Sequence, residues 1–205
     1  MKEYIAKKID REMTIEDERW EKVEKVSLEY TWDAYRPIPY ETKAAMVHSD
    51  AGITVLLTST EWPLRITQMA HDTRVCEDSC LEFFFTPNTA EQKYINFEMN
   101  PAGAVHSHIG EGRGKRAAFD IVGTGVRIYT QILPLEGWRA FLFVPYSLID
   151  TLYDKRENVF KANFYKCGDS TVKPHYATWN PVETEKPDYH QPAYFGKIIL
   201  SEDLI

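Results

Sequence analysis

The sequence has few cysteines and no long apolar run, and each shortage excludes a class of protein. Three cysteines in 205 residues are an odd and small number for a fold stapled by disulfides, and a chain of this length does not need such bridges. We therefore expect three free thiols. No window approaches the roughly 18 consecutive apolar residues that span a bilayer, so we expect no membrane partner.

The chain also lacks an excess of positive charge. Its 24 Lys and Arg residues against 31 Asp and Glu residues give a net charge of −7 and a pI of about 5.4. A protein that binds the phosphate backbone needs a basic face, so we expect no nucleic-acid partner. The hydrophobic fraction of 43% and the mean hydropathy of −0.42 are those of a folded soluble protein.

The N-terminus lacks the apolar segment of a secretory signal. Residues 1–12 carry charges throughout, whereas a signal peptide contains an uncharged apolar stretch. We therefore expect a cytoplasmic protein, unless a signal has already been removed. No linker, repeat or low-complexity run divides the chain, so residues 1–205 are expected to form a single domain. Residues 1–28 are expected to form an N-terminal arm, with at most a turn of helix.

From residue 42 onward, short β-type runs alternate with turn residues at the spacing typical of a β-sandwich or barrel. The predicted strands are residues 42–48, 53–59, 81–86, 94–100, 103–109, 126–133, 138–144, 159–166, 173–179 and 195–200. Because strands follow strands with almost no helix between them, the sheets should be mainly antiparallel. Residues 145–153, which begin with proline, are expected to form a short helix.

Tyr94–Asn100 carries the clearest chemical signal, because its alternation separates two faces of a strand. Apolar residues occupy one face, and the other carries Tyr94, Asn96, Glu98 and Asn100. Sugar hydroxyls need both hydrogen-bond donors and acceptors, and the C–H face of a sugar ring stacks on aromatic planes. The polar face therefore predicts a carbohydrate-binding surface, although an ordinary solvated sheet face has the same pattern.

Glu82 lies among hydrophobic residues in the middle of a predicted strand. Burying an unpaired carboxylate costs several kcal/mol, so Glu82 is expected to have a partner. The sequence leaves that choice open among Arg113, Arg116, Arg127, Arg139 and a bound ligand.

Two further pairs of residues raise the question of a metal or a catalytic site. His106 and His108 share one face of a strand, but the sequence reveals no third metal ligand beside them, and two surface histidines explain the pattern as well. Glu82 and Glu98 are the kind of pair that glycosidases use. Nothing in the sequence fixes their separation, and we predict no catalytic residue and no enzyme.

Several motifs, in the same order along the chain, resemble the family 9 carbohydrate-binding modules, which belong to the DOMON-like group of β-sandwiches. They are Val75–Phe84, Tyr94–Asn100 with Gly103, Tyr30–Trp32 with Pro37, Asn163–Lys166, Tyr176–Pro181 and His190–Gly196. The resemblance covers roughly residues 30–200. It implies an all-β, antiparallel, jelly-roll-type sandwich with one or two short helices.

The resemblance also implies a non-catalytic module that holds a mono- or oligosaccharide between two tryptophans while polar sheet residues bind the hydroxyls. Trp179 matches the second tryptophan, and Glu82 matches a carboxylate that contacts sugar. The predicted carbohydrate-binding residues are Glu82, Asn96, Glu98, Asn100, Arg113 and Trp179.

Cys76 occupies the position where the first of the two tryptophans is expected, so one of the two aromatic rings that would hold the sugar is missing. Trp62 or Tyr40 could take its place from a neighbouring loop. Two other functions stay open: haem binding, as in some DOMON-type relatives, and a protein-interaction scaffold whose sugar site has decayed. A Trp179 exposed beside Glu82 would favour sugar binding, whereas a Trp179 packed in the core would favour the scaffold.

Family members also bind calcium as a structural ion, and this implies a possible calcium site here. The candidate ligands are Asp72, Glu77 and Asp78, although no segment resembles a dedicated calcium loop. The sequence specifies neither the sugar nor the oligomeric state.

Overall fold

A computed structural model describes all 205 residues, and β-strands form most of the regular structure. The strands are β1 (Glu3–Lys8), β2 (Val26–Ser27), β3 (Thr42–His48), β4 (Gly52–Ser59), β5 (Cys80–Phe85), β6 (Tyr94–Met99), β7 (Val105–Gly110), β8 (Arg116–Ala118), β9 (Arg127–Leu133), β10 (Gly137–Pro145), β11 (Val159–Cys167), β12 (Tyr176–Thr178) and β13 (Gly196–Leu204). The helices are α1 (Tyr146–Leu152) and the 3-10 helices Glu18–Lys22, Asp33–Tyr35, Val75–Glu77 and Pro192–Tyr194. None of these helices has the length and apolar character needed to cross a membrane.

The strands are hydrogen-bonded in one continuous order that folds into a β-sandwich. The order is β8-β7-β6-β5-β11-β13-β1-β3-β4-β10-β9, with β12 paired to β11 and β2 paired to β3. All pairs are antiparallel except those of β1, which runs parallel to both β13 and β3. The predicted antiparallel sandwich with a short helix after β10 is confirmed.

The main core lies between the two halves of this strand order. Its 29 buried residues include alternate residues of facing strands, such as Phe83 and Phe85 of β5 and Val55 and Leu57 of β4. Phe83 stacks on Phe85 with 5.2 Å between the ring centroids. Because side chains alternate along a strand, the other residues of β5 and β6 lie on the outer face of this layer.

The predicted N-terminal arm contains a strand as well as a turn of helix. In β1, Tyr4 and Ala6 are buried between exposed neighbours, which is the alternation of a strand with one buried face. Trp20, in the first 3-10 helix, is 3% exposed and packs in a second cluster with Leu56 and Phe141. The arm therefore covers the outer face of β4 and β10, opposite the layer that carries the polar residues.

Candidate functional site

A row of polar side chains crosses the outer face of β5, β6 and β7. The strand register places Glu82 opposite Glu98, and Glu98 opposite His106. On the other side of Glu82, Tyr165 of β11 continues the row. The alternation that predicted a polar face for β6 thus extends across four neighbouring strands.

This row forms part of the lining of a cavity of about 270 Å³. Glu82, Glu98 and His106 contribute from the sheet. The remaining lining residues are Thr73, Arg74, Cys76, Arg113, Arg116, Cys167, Asp169, Tyr176, Pro187, Tyr189 and His190. The volume lies just below the roughly 300–1,000 Å³ of typical small-molecule sites, so the cavity suits one small polar group better than an extended ligand.

Glu82 is 2% exposed, and its hydrogen-bond partner is a thiol. Its Oε1 accepts a hydrogen bond from Cys167 Sγ at 2.9 Å and a longer one from Cys80 Sγ at 3.7 Å. Both cysteines, like Cys76, are free thiols. The arginine partners that the sequence left open are therefore not used.

Glu82 and Glu98 form a buried pair that resists full ionisation. Burial raises the pKa of Glu82 to about 7. Burial and then the negative charge of Glu82 hold the pKa of Glu98 well above its usual range. Two neighbouring carboxylates in a buried site cannot both be charged cheaply, so the pair retains a proton near neutral pH.

Asn96 links Glu98 to an arginine. Asn96 Nδ2 donates to Glu98 Oε1 at 3.1 Å, and Arg116 Nη1 donates to Asn96 Oδ1 at 3.0 Å. The same Nη1 lies 3.8 Å from Glu98 Oε1. Nearby, Arg113 donates twice to Asp188 Oδ1, at 3.1 and 3.0 Å. The structure thus places the predicted residues Glu82, Glu98 and Arg113 in the lining of the cavity. Asn96 does not line it: the side chain is fully buried, and its amide is bonded to Glu98 and Arg116.

Tyrosines supply the aromatic rings of the cavity lining. Tyr176 is partly exposed, and Tyr189 stacks on Tyr165 with 4.1 Å between ring centroids and 11° between planes. Trp32 packs behind both, at 6.4 Å from Tyr176 and 6.0 Å from Tyr189. Aromatic planes of this kind are where the C–H face of a sugar ring packs.

Trp179 lies in the core and not in the cavity. Its side chain is 1% exposed and packs against Phe164 at 5.5 Å between ring centroids. A Cβ placed on Gly196 would come within 2.5 Å of the indole ring, so the ring is enclosed from that side too. The prediction that a sugar stacks on Trp179 is therefore wrong, because no ring face is accessible.

The alternation along β12 explains this correction and identifies the residue that the sequence reasoning missed. Ala177 and Trp179 both belong to the core cluster, so they lie on the inner side. Tyr176 is on the opposite side and lines the cavity. If the alternation of side chains along a strand had been applied to the motif Tyr176–Pro181, it would have identified Tyr176 as the aromatic residue that faces the cavity. Asp169, Tyr189 and His190 also line the cavity, but they lie in loops, where no periodicity marks them.

Cys76 replaces an expected tryptophan with a small side chain. It lies partly buried in the 3-10 turn Val75–Glu77 and lines the cavity. Neither Trp62 nor Tyr40 lines the cavity, and Tyr40 packs edge-on against His175, with 5.1 Å between the rings. Neither residue therefore replaces the missing first tryptophan at the cavity.

Asn100 and Asp78 hold a loop in place and do not line the cavity. Asp78 is buried, and its carboxylate accepts hydrogen bonds from Thr67 N and Oγ1, Gln68 N and Asn100 Nδ2, all at 2.7–2.9 Å. The prediction that Asn100 binds the ligand is corrected, because its amide is used internally.

The three calcium candidates do not fit a common ion. The oxygens of Asp78 are taken by N–H and O–H donors, whereas calcium needs six to eight oxygen ligands. Glu77 pairs with Arg74 at 3.0 Å. Asp72 lies elsewhere, with Oδ1 at 2.9 Å from His106 Nδ1 and 2.7 Å from His108 Nε2. Asp72 is the third ligand-type residue that the sequence did not reveal beside the two histidines.

Known proteins share this fold. The family model described as "Carbohydrate-binding family 9" matches residues 8–200. A solved structure described as a "putative carbohydrate-binding protein" from Bacteroides uniformis ATCC 8492 is 26% identical with a TM-score of 0.83, over 98% of this chain and 99% of that chain. A search of curated proteins finds no match.

More distant structures share the fold at lower identity. They are those of a carbohydrate binding module family 9 from Caldicellulosiruptor kristjanssonii, solved in complex with glucose and with cellotriose. Both are 15% identical to this chain, with a TM-score of 0.65. The match covers 98% of this chain in each case, and it covers 96% of the chain in the glucose complex and 94% of the chain in the cellotriose complex.

Proposed function

The chain belongs to carbohydrate-binding family 9, and from this premise we propose that it binds a single sugar, or the end of a sugar chain, in the cavity on the outer face of β5, β6 and β7. The family is one of non-catalytic binding modules, so Glu82 and Glu98 bind hydroxyls here and do not catalyse hydrolysis. One observation carries the proposal: two buried carboxyls share the lining of one cavity with three arginines and two tyrosines.

The charges of the lining match the chemistry of a sugar. A hydroxyl can donate to a carboxylate and accept from a guanidinium at the same time. In this cavity, the carboxyl oxygens of Glu82 and Glu98 can accept hydrogen bonds, and the guanidinium groups of Arg113 and Arg116 can donate them. Because buried carboxyls are costly unless their hydrogen bonds are satisfied, a ligand with several hydroxyls would stabilise this arrangement.

Tyr176 takes the stacking role that the sequence assigned to Trp179. Its ring is held by Tyr35, which meets it edge-on at 4.6 Å between centroids, so little side-chain entropy remains to be lost on binding. The cavity of about 270 Å³ favours one sugar residue. The relatives solved with glucose and with cellotriose make these two sugars the first probes.

Isothermal titration with glucose and cellotriose tests the proposal, with a panel of other mono- and oligosaccharides as the second step. We expect heat from at least one sugar with the wild type, and at least tenfold weaker binding, or about 1.4 kcal/mol, for Tyr176→Ala and Glu98→Gln. Tyr129→Ala is the matched control, because Tyr129 is 53% exposed on β9 and outside the cavity. No heat at millimolar sugar from a folded protein would overturn the proposal.

The protein-interaction scaffold is the second candidate, because Trp179 lies in the core and Cys76 stands in place of the other tryptophan. The same titration separates the two functions, since a decayed site gives no heat with any sugar. Haem binding through methionine and histidine is not proposed, because no methionine lines the cavity.

A further inference from the structure

Asp72, His106 and His108 bring three metal-ligating atoms together at the edge of the cavity. Asp72 Oδ1, His106 Nδ1 and His108 Nε2 all lie within 4.8 Å of one another. The two imidazole rings overlap with 3.9 Å between their centroids and 30° between their planes. Both rings therefore present a nitrogen to the same carboxylate oxygen, at 2.9 and 2.7 Å.

One of these atoms lacks a partner. His108 Nε2 forms a hydrogen bond with Asp72 Oδ1. His106 Nδ1 lies 2.9 Å from the same oxygen but forms no hydrogen bond with it, and this buried nitrogen has no other partner. Buried polar atoms without a partner are uncommon in proteins and call for an explanation. An ion between the three donors supplies one.

From this cluster we infer that Asp72, His106 and His108 form a binding site for a divalent transition-metal ion, with Zn²⁺ as the best match. Two imidazoles and one carboxylate are a ligand set of zinc sites, whereas calcium and magnesium take oxygen ligands. Imidazole suits zinc, copper, iron and nickel. The site needs only these three side chains, so zinc binding is testable without any sugar.

The geometry requires only a small movement to accept the ion. Tetrahedral zinc with ligand bonds of about 2.0–2.1 Å separates its donor atoms by about 3.3 Å, roughly half an ångström more than the distances here. The Asp72 side chain is 52% exposed, so it is free to move outward. Its backbone N–H donates to Val105 O at 2.8 Å, which keeps the carboxylate beside the start of β7.

Three protein ligands leave one tetrahedral position open, as in catalytic and ligand-binding zinc sites. His106 lines the cavity and lies opposite Glu98 in the strand register. The open position is therefore adjacent to the cavity, where a water molecule or an oxygen of a cavity ligand can complete the coordination.

Titration of the chelator-treated protein with zinc chloride, followed by calorimetry, tests the inference. We expect one Zn²⁺ per chain, a higher Tm with zinc, and at least tenfold weaker binding for Asp72→Asn and for His108→Gln. Calcium chloride is expected to give neither effect. His71→Gln is the matched control: His71 lies beside Asp72 but belongs to no ligand group, so zinc binding should be unchanged.

A second group of ligand-type side chains, Cys80, Glu82 and Cys167, must be distinguished from this one. Cys167→Ser should retain zinc binding, and the cobalt-substituted protein should lack a thiolate charge-transfer band. The inference is overturned if no Zn²⁺ binds at one per chain, if Asp72→Asn binds zinc as the wild type does, or if Cys167→Ser abolishes binding. Asp72 lies in an exposed loop, so its variant remains informative even where a histidine variant fails to fold. A sugar titration in the presence of chelator reports separately on the proposed function.

Discussion

Glu82 and Glu98 lie directly opposite each other on β5 and β6, and both side chains are buried. Directly opposed like charges destabilise a sheet, so ionising both carboxyls would oppose the folding of the hairpin that carries them. The opposite face of the same two strands offsets the cost, because Phe83 and Phe97 pair there in the main core. Residues that are unfavourable for folding tend to mark functional sites, and these two glutamates line the cavity.

Glu82→Gln should raise the stability of the protein at alkaline pH. Burial raises the pKa of Glu82 from 4.5 to about 7 in the folded state, so folding favours the protonated form. The contribution of Glu82 is therefore most favourable below pH 4.5 and declines as pH rises through about 7. Gln cannot ionise, and Tm at pH 8 should increase by about 2–4 °C for each kcal/mol regained.

Thermal melts at pH 4.5 and pH 8 check this prediction. The difference between variant and wild type should be small at pH 4.5 and positive at pH 8. Glu136→Gln, in the exposed turn before β10, should show no such dependence on pH. A Glu82→Gln protein that is less stable than the wild type at pH 8 but not at pH 4.5 would contradict the sign of the effect.

Asp78→Asn should destabilise the protein strongly. Burial alone would raise the pKa of Asp78, but hydrogen bonds from Gln68, Thr67 and Asn100 lower it. The contribution of Asp78 is thus present above its unfolded pKa of 3.8 and is lost as pH falls through the lower folded value. An amide presents N–H groups to these donors, and each donor left unpaired costs about 1–3 kcal/mol.

Urea denaturation at pH 7 measures that loss. Asp203→Asn, at an exposed position near the end of β13, is the control and should unfold at nearly the wild-type urea concentration. If Asp78→Asn also unfolds at the wild-type urea concentration, the hydrogen bonds to Asp78 do not stabilise the loop.

Trp179→Ala should act on stability and leave no specific defect in sugar binding. Removing a fully buried tryptophan costs about 3–5 kcal/mol. Trp62→Ala is the matched control, because that indole is 37% exposed and its loss should cost far less. Urea unfolding and sugar titration of both variants provide the check. A Trp179→Ala protein with wild-type stability and no sugar binding would restore the original assignment of this tryptophan.

The predictable part of the molecule is the part with strand periodicity. Alternation placed Asn96 and Glu98 on one face of β6, and the register then brought Glu82 beside them. The mistake at Trp179 came from reading a motif by residue type without applying its alternation. β1 was missed because its parallel partner β13 lies almost the whole chain away, and sequence patterns do not encode such pairings.

Loop residues mark the limit of sequence reasoning. Asp72 reaches His108, 36 residues away, and Arg113 reaches Asp188, 75 residues away. No spacing rule links such residues, because their proximity depends on how the strands between them are ordered in the sheet. The calcium candidates Asp72, Glu77 and Asp78 show the same limit: they are close in sequence, but each carboxylate contacts different partners.

Arg113→Ala should weaken sugar binding without a matching loss of stability. The Arg113 side chain is 61% exposed, and an exposed ion pair contributes only about 0.2–1 kcal/mol to stability. Arg156 is a matched control, since it also pairs with an aspartate, Asp150, at 2.7 Å, but does not line the sugar cavity. Arg156→Ala should therefore share the small effect on Tm and keep wild-type affinity.

Calorimetry with the sugar that the wild type binds, together with thermal melts, separates the two effects. Loss of a guanidinium donor to a bound hydroxyl should cost about tenfold in affinity, or 1.4 kcal/mol, in Arg113→Ala alone. If the two arginine variants bind the sugar with equal affinity, Arg113 does not contact the sugar and only forms a surface ion pair with Asp188. A large loss of Tm in Arg113→Ala alone would instead show that the Arg113–Asp188 ion pair holds the 182–190 loop in place. The effect of the substitution on sugar binding would then be indirect.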